Sequence, residues 1–223
     1  MICATFYKSF SCNFNSSNGY TIMDYLEIIG TLIGLLYLYL EYKASIYLWF
    51  AGVVMPLVYI YVFYAAGLYA DMGINIYYLL AGLYGLVMWM KKSDQKEGEE
   101  RPISYTPVKY FLPIIIIFAI LFVGIAFILT RYTDSTVPYA DSFVTALSII
   151  GMWLLAYKYI EQWLVWIVVD VACCALYLYK GLYPTTILYG LYSVIAVFGY
   201  FKWKKMMLYN ALNDEKIPIT DNR

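Results

Sequence analysis

Trp163, Trp166 and Asp170 lie in the run QWLVWIVVD, residues 162–170, where a carboxylate interrupts an otherwise apolar stretch. On a helix, residues three, four and seven apart share a face, so both indoles and the carboxylate point the same way. Each indole face attracts a desolvated cation by about 0.5–2 kcal/mol, and a carboxylate supplies the counter-charge. The chemistry of such a set is the seating of a flat cation. An acidic side chain at the centre of a membrane helix costs about 2.5–3.5 kcal/mol, so its presence marks a pathway, a relay or a partner. No Lys stands three or four positions from Asp170, and Lys180 is nearly three turns away. Ligand contact is therefore the leading expectation, a tyrosine hydrogen-bond network the second, and proton coupling the third. Gln162 beside the motif and Asn75, a polar residue early in another apolar stretch, complete the expected substrate contacts. Trp163 also suits the aromatic belt at a membrane interface, whereas Trp166 lies deeper and is the better stacking residue.

These residues need membrane helices to hold them. The 223-residue chain is 63% hydrophobic, 20% aromatic and 13% charged, a composition that points to a polytopic, all-α protein with the bilayer as solvent. It has no His, which removes His-based acid–base catalysis and the commonest zinc sites, so neither an enzyme nor a metal or cofactor site is expected. Net charge is zero, giving no electrostatic case for nucleic acid. Cys3, Cys12 and the adjacent Cys173 and Cys174 lack metal-site spacing. Residues 1–23 form a polar extension without the long apolar core of a signal peptide, and Met23 is a candidate start.

Seven apolar stretches approach the length of about 20 residues needed to cross a bilayer, near 26–40, 46–66, 72–90, 110–130, 141–157, 162–179 and 184–201. The charged segment KKSDQKEGEERPISYTPVK parts the third from the fourth and has no apolar face. Alternating the loops leaves Lys8, Arg131 and Lys180 on one side and the rest of the 15 basic residues on the other. The positive-inside rule then sets the N-terminus outside and the C-terminus inside. Glu27 and Glu41 fall near span ends, where solvation is their cheaper environment. Gly30 and Gly34 have the GxxxG spacing of a helix contact.

A repeat organises the spans. GLYADMGINIYYLLAGLYGLVMW, residues 67–89, aligns without a gap on GLYPTTILYGLYSVIAVFGYFKW, residues 181–203, at a shift of 114. Gly67 falls on Gly181, Gly85 on Gly199 and Trp89 on Trp203, while Trp49 falls on Trp163. Spans one to three thus recur as spans five to seven in the same direction, a 3+1+3 parallel repeat of three-helix bundles with span four as connector. The expected organisation is a first repeat over 24–91, a cytoplasmic linker over 92–109, a connector helix over 110–130, a second repeat over 139–203 and a cytoplasmic tail over 204–223. At the shift of 114, Trp166 falls on Gly52 and Asp170 on Pro56, so the halves differ where one asymmetric substrate needs one binding face. Tyrosines such as Tyr59, Tyr61, Tyr179, Tyr189 and Tyr192 are possible hydroxyl partners of low individual specificity. With no GxxxxGK[ST] loop and no paired acidic residues in the spans, the expected mechanism is a uniporter.

The segment EQWLVWIVVDVACCALYLYKGLYPTTILYGLYSVIAVFGYFKWKK closely resembles the corresponding part of the Pnu vitamin transporters, and the resemblance extends over about residues 24–206. Its most specific element is the pattern W-x-x-W-x-x-x-[N/D], met by Trp163, Trp166 and Asp170. The segment ADMGIN with Asn75 and the KGLY turn share the likeness. The resemblance implies a SWEET-like fold, substrate binding by the sixth span, and passive uptake of a small cationic vitamin that a cytoplasmic kinase then traps. That vitamin is nicotinamide riboside in the main group and thiamine in a sister group. Asp rather than Asn at 170 bears on which of the two is taken, and nicotinamide riboside is the first expectation.

Overall fold

The computed structural model describes residues 32–65, 69–91, 101–133 and 135–216, and all regular structure among them is helical. The helices are α1 (Leu32–Tyr42), α2 (Tyr47–Ala65), α3 (Tyr69–Met90), α4 (Phe111–Tyr132), α5 (Pro138–Ala156), α6 (Gln162–Tyr179) and α7 (Tyr183–Lys216). A short 3-10 turn at Val108–Tyr110 leads into α4. Five helices among the described residues are long and apolar enough to cross a membrane: Met72–Met90, Val108–Tyr132, Pro138–Ala156, Gln162–Tyr179 and Tyr183–Leu212. Apolar side chains stand exposed all along them, including Ile115, Ile116, Val123, Val168 and Phe198, as expected where lipid replaces water around the helices. The protein is an all-α membrane protein. The polar extension, Glu27, Gly30 and the Gly67 turn lie outside the described residues.

The chain forms two compact units, one ending at Met88 and the other beginning at Trp89. In the first, α1 ends where Ala44 takes φ +52°. The Ala44 amide donates to the Glu41 carbonyl at 2.9 Å, and the Ser45 amide to the Leu40 carbonyl at 2.9 Å. This left-handed stop satisfies two terminal carbonyls. Glu41, expected in solvent, is only 2% exposed, because it stands on the inward side of the last turn of α1. Trp49 in α2 packs its six-membered ring onto Gly85 of α3, where any Cβ would collide with it. Pro56 lies inside α2 and has no N–H for the carbonyl four residues back, that of Gly52. Gly82 of α3 fits directly against that carbonyl, and a Cβ there would sit 2.8 Å from its oxygen.

In the second unit α4 is almost wholly exposed, with Ala126 its buried residue. Its inner side meets α5 through Phe118, which packs edge-on to Phe143 with centroids 5.8 Å apart. Pro138 starts α5, where its missing N–H costs nothing. The helix is stopped by Lys158, two residues beyond its end, with φ +54°. The Lys158 amide donates to the Leu155 carbonyl at 3.0 Å and the Tyr159 amide to the Leu154 carbonyl at 3.0 Å. This is the Ala44 stop again, 114 residues on. Gly181, φ +72°, closes α6 through the same bonds: its amide donates to Leu178 at 3.1 Å and the Leu182 amide to Tyr177 at 2.9 Å.

The linker departs from its sequence reading. Its charge and prolines describe a solvated strap, yet Ile103 and Thr106 are buried. Ser104 forms a parallel bridge with Tyr159: its amide donates to the Lys158 carbonyl at 3.2 Å and its carbonyl accepts from the Ile160 amide at 3.0 Å. Thr106 donates both its amide, at 2.9 Å, and its hydroxyl, at 2.7 Å, to one Glu161 carboxylate oxygen. Two short polar residues and one isoleucine suffice to dock this segment, a signal too small for a pattern search.

Candidate functional site

α6 and α5 build the site, running antiparallel from the turn at residues 157–161. At the opposite end Lys180 reaches the Asp141 carboxylate at 3.3 Å. Lys180 is thereby engaged away from Asp170. Gln162, Trp163, Trp166 and Asp170 are all buried on α6, so the helix brings four of the five expected site residues together. Asn75, also buried, belongs to α3 in the first unit.

The two tryptophans have different surroundings. Trp163 is fully buried and packed against Gly199 of α7, where a Cβ would lie 2.6 Å from its ring. Trp203 meets it edge-on, with centroids 5.7 Å apart and rings 87° to each other. Trp203 in turn lies 6.5 Å from Trp89, whose indole N–H donates to the Leu155 carbonyl at 3.1 Å. The Lys158 ammonium sits 4.4 Å from the Trp89 ring centroid. Trp163 thus belongs to a packed row of indoles. Trp166 instead reaches toward α5, over Gly151, where a Cβ would fall 3.0 Å from its ring.

Residues 162, 166 and 170 are spaced by four and share one strip of α6. Gln162 is 0% exposed, and neither its amide oxygen nor its amide nitrogen has a hydrogen-bond partner. The Trp166 indole N–H also lacks one among the described residues, as does that of Trp163, and Asp170 is 8% exposed. Buried polar groups are nearly always bonded, and leaving one unmade costs about 1–3 kcal/mol. The strip thus holds buried polar atoms that the described residues leave unbonded. Ser148 on α5, which the sequence reading did not single out, is likewise buried with its hydroxyl unpartnered. A lone serine in an apolar span carries no pattern that would have marked it. Among the tyrosines, Tyr61 and Tyr179 are exposed, whereas Tyr59, Tyr189 and Tyr192 are buried. Tyr189 stacks on Tyr177 with centroids 5.3 Å apart. No group of three metal-ligating side chains occurs among the described residues.

Comparison with known proteins places this helix pair in a family. The model of the nicotinamide mononucleotide transporter family matches residues 24–205. The chain belongs to that family. As such it is a multi-pass membrane transporter rather than an enzyme. Among relatives of this family, the nicotinamide riboside transporter PnuC of Escherichia coli (strain K12) is 24% identical over 210 residues, covering 84% of this chain and 87% of its own. The riboflavin/roseoflavin transporter RibM of Streptomyces davaonensis is 22% identical over 196 residues, covering 86% and 92%. The crystal structure of the vitamin B3 transporter PnuC shares the fold, with a TM-score of 0.61, 24% identity and 80% of each chain covered.

Proposed function

We propose that the protein carries nicotinamide riboside across the cytoplasmic membrane, bound at the strip Gln162, Trp166 and Asp170. The observation that carries this reading is that on this buried strip the Gln162 amide and the Trp166 indole N–H have no partner among the described residues, and the relatives named as nicotinamide riboside transporters supply the ligand. Its pyridinium ring lies on the Trp166 face, and the Asp170 carboxylate balances the charge. Trp163 acts one step back, holding α6 against α7 through Gly199 and Trp203.

Seven spans in a 3+1+3 parallel repeat, with the N-terminus outside and the C-terminus inside, complete the proposal. The repeat is supported by the recurrence, at the shift of 114, of the Trp49–Gly85 contact as Trp163–Gly199 and of the Ala44 stop as Lys158. The orientation is supported by the bias of basic residues. Labelling tests it: a cysteine placed at Ser93 reacts with reagents on the cytoplasmic side, and reaction from outside only sinks the orientation.

Transport is passive. For a substrate carrying one positive charge, an inside-negative potential contributes about 2.3 kcal/mol per 100 mV, close to fiftyfold accumulation. A cytoplasmic kinase then holds the product inside as its phosphate. In proteoliposomes containing only this protein, labelled nicotinamide riboside enters saturably, equilibrates without a potential and concentrates when one is imposed. Absence of saturable uptake rejects the substrate. Uphill uptake at zero potential, driven by an ion gradient, rejects the uniport.

A further inference from the structure

Hydroxyls in the helices of the second unit mostly find a partner in their own backbone. Thr130, Ser142, Thr145 and Thr186 each donate to the carbonyl four residues back, at 2.7, 2.6, 2.7 and 3.0 Å, the usual refuge of a helical hydroxyl. Ser148 does not, although it is 5% exposed and has the same kind of carbonyl within reach. Its hydroxyl is turned to something else.

The helix register says where. Gly151 of α5 lies under the Trp166 ring. Ser148 is three residues before Gly151 on the same face of α5, and Asp170 is four residues after Trp166 on the same face of α6. Because α5 and α6 are antiparallel, one step away from their joining turn on each helix brings Ser148 and Asp170 to one level. That level is about one turn, roughly 5.4 Å, beyond the ring of Trp166. Two buried polar side chains thus share a level between adjacent helices, and the hydroxyl of Ser148 has no partner among the described residues. At the shift of 114 the position of Ser148 is Gly34, so the first repeat offers no such hydroxyl.

We propose that Ser148 is a further substrate-contacting residue, which with Asp170 grips a ribose hydroxyl of a cationic riboside whose ring lies on Trp166. The chemistry is complementary: an ionised carboxylate only accepts, while a serine hydroxyl both donates and accepts. One sugar hydroxyl can then donate to Asp170 and accept from Ser148. An offset of one helical turn also suits a base stacked at one level and its attached sugar at the next. This inference rests on the riboside reading above and assigns the specificity for sugar over free base to a residue outside the tryptophan motif.

The test is calorimetric binding to the purified full chain in lipid nanodiscs, using nicotinamide riboside and its 2′-deoxy and 3′-deoxy analogues. Ser148→Ala weakens nicotinamide riboside about three- to tenfold, the scale of one neutral hydrogen bond. Against the analogue lacking the gripped hydroxyl, wild type and Ser148→Ala bind alike, and Ser148→Thr, which keeps the hydroxyl, restores most of the affinity for the full riboside. The wild type's own loss on going to that analogue gives a readout that needs no variant. Equal weakening of all three ligands, or unchanged affinity with a shifted melting temperature, overturns the proposal and makes Ser148 a structural hydroxyl. Failure of wild type to bind any of the ribosides overturns the riboside reading itself, a result distinct from loss of the Ser148 dependence alone.

Discussion

At the shift of 114, matching strips of α2 and α6 have opposite chemical character. In α2 the strip carries Leu48, Gly52 and Pro56, all buried, and the carbonyl that Pro56 leaves unbonded meets the backbone of Gly82. In α6 it carries Gln162, Trp166 and Asp170, equally buried, with the Gln162 amide and the Trp166 indole N–H lacking partners among the described residues. Around this strip the framework is common: tryptophan against glycine, and a left-handed stop before the helix. Even the first-to-second helix contact persists with its sizes exchanged. Tyr37 approaches Gly52 in one half, a Cβ there lying 3.6 Å from its ring, and Trp166 approaches Gly151 in the other. On the proposed repeat, the packing device is kept in both halves and one copy of a surface is left free for the proposed chemistry. Features shared by both halves serve the fold, and features confined to one are the place to look for the substrate.

Exchanging strip residues gives the largest expected effects on function. Asp170→Asn preserves size and hydrogen bonding but deletes the charge, so affinity for a cationic riboside falls about five- to 150-fold, roughly 1–3 kcal/mol. A ligand with a reduced, neutral ring loses far less, and equal losses for both would make Asp170 structural. Trp166→Ala costs a comparable amount through lost stacking and burial. Trp163→Phe lowers affinity less and melting temperature more, because Trp163 belongs to the framework.

Framework substitutions act on stability in both halves alike. Gly85→Ala and Gly199→Ala each drive a Cβ into an indole, and overpacking of this kind costs about 1–3 kcal/mol. Thermal unfolding in detergent should register similar losses for the two, and a loss confined to one half would break the parallel between them. Gln162→Leu installs the residue of the first half and removes two unpartnered polar atoms. It should stabilise the protein by about 1 kcal/mol while weakening substrate binding. Loss of stability there would mean that the amide is already satisfied.

The smallest effect separates the two helix stops. A non-glycine residue in the left-handed region costs about 1–2 kcal/mol, so Ala44→Gly raises the melting temperature slightly. Lys158→Gly gains less, since it also gives up the ammonium over the Trp89 ring. An equal gain at both positions would assign no value to that contact.

Class, helix positions and family were legible in the residues because each is a local or additive property. Apolar runs of bilayer length declare helices, and the spacing of Trp163, Trp166 and Asp170 declares a common face whatever surrounds it. The gapless shift of 114 likewise needed only the letters. Tertiary structure decided what depends on neighbours far along the chain. Position along the span set Trp166 deeper than Trp163, but only tertiary structure drew Trp163 into packing against Gly199 and Trp203 and left Trp166 over Gly151. It also buried Glu41, docked the polar linker at Ser104 and Thr106, and left the hydroxyl of Ser148 unbonded. Whether a polar group is satisfied depends on the atoms opposite it, and those are fixed only when helices distant in sequence come together.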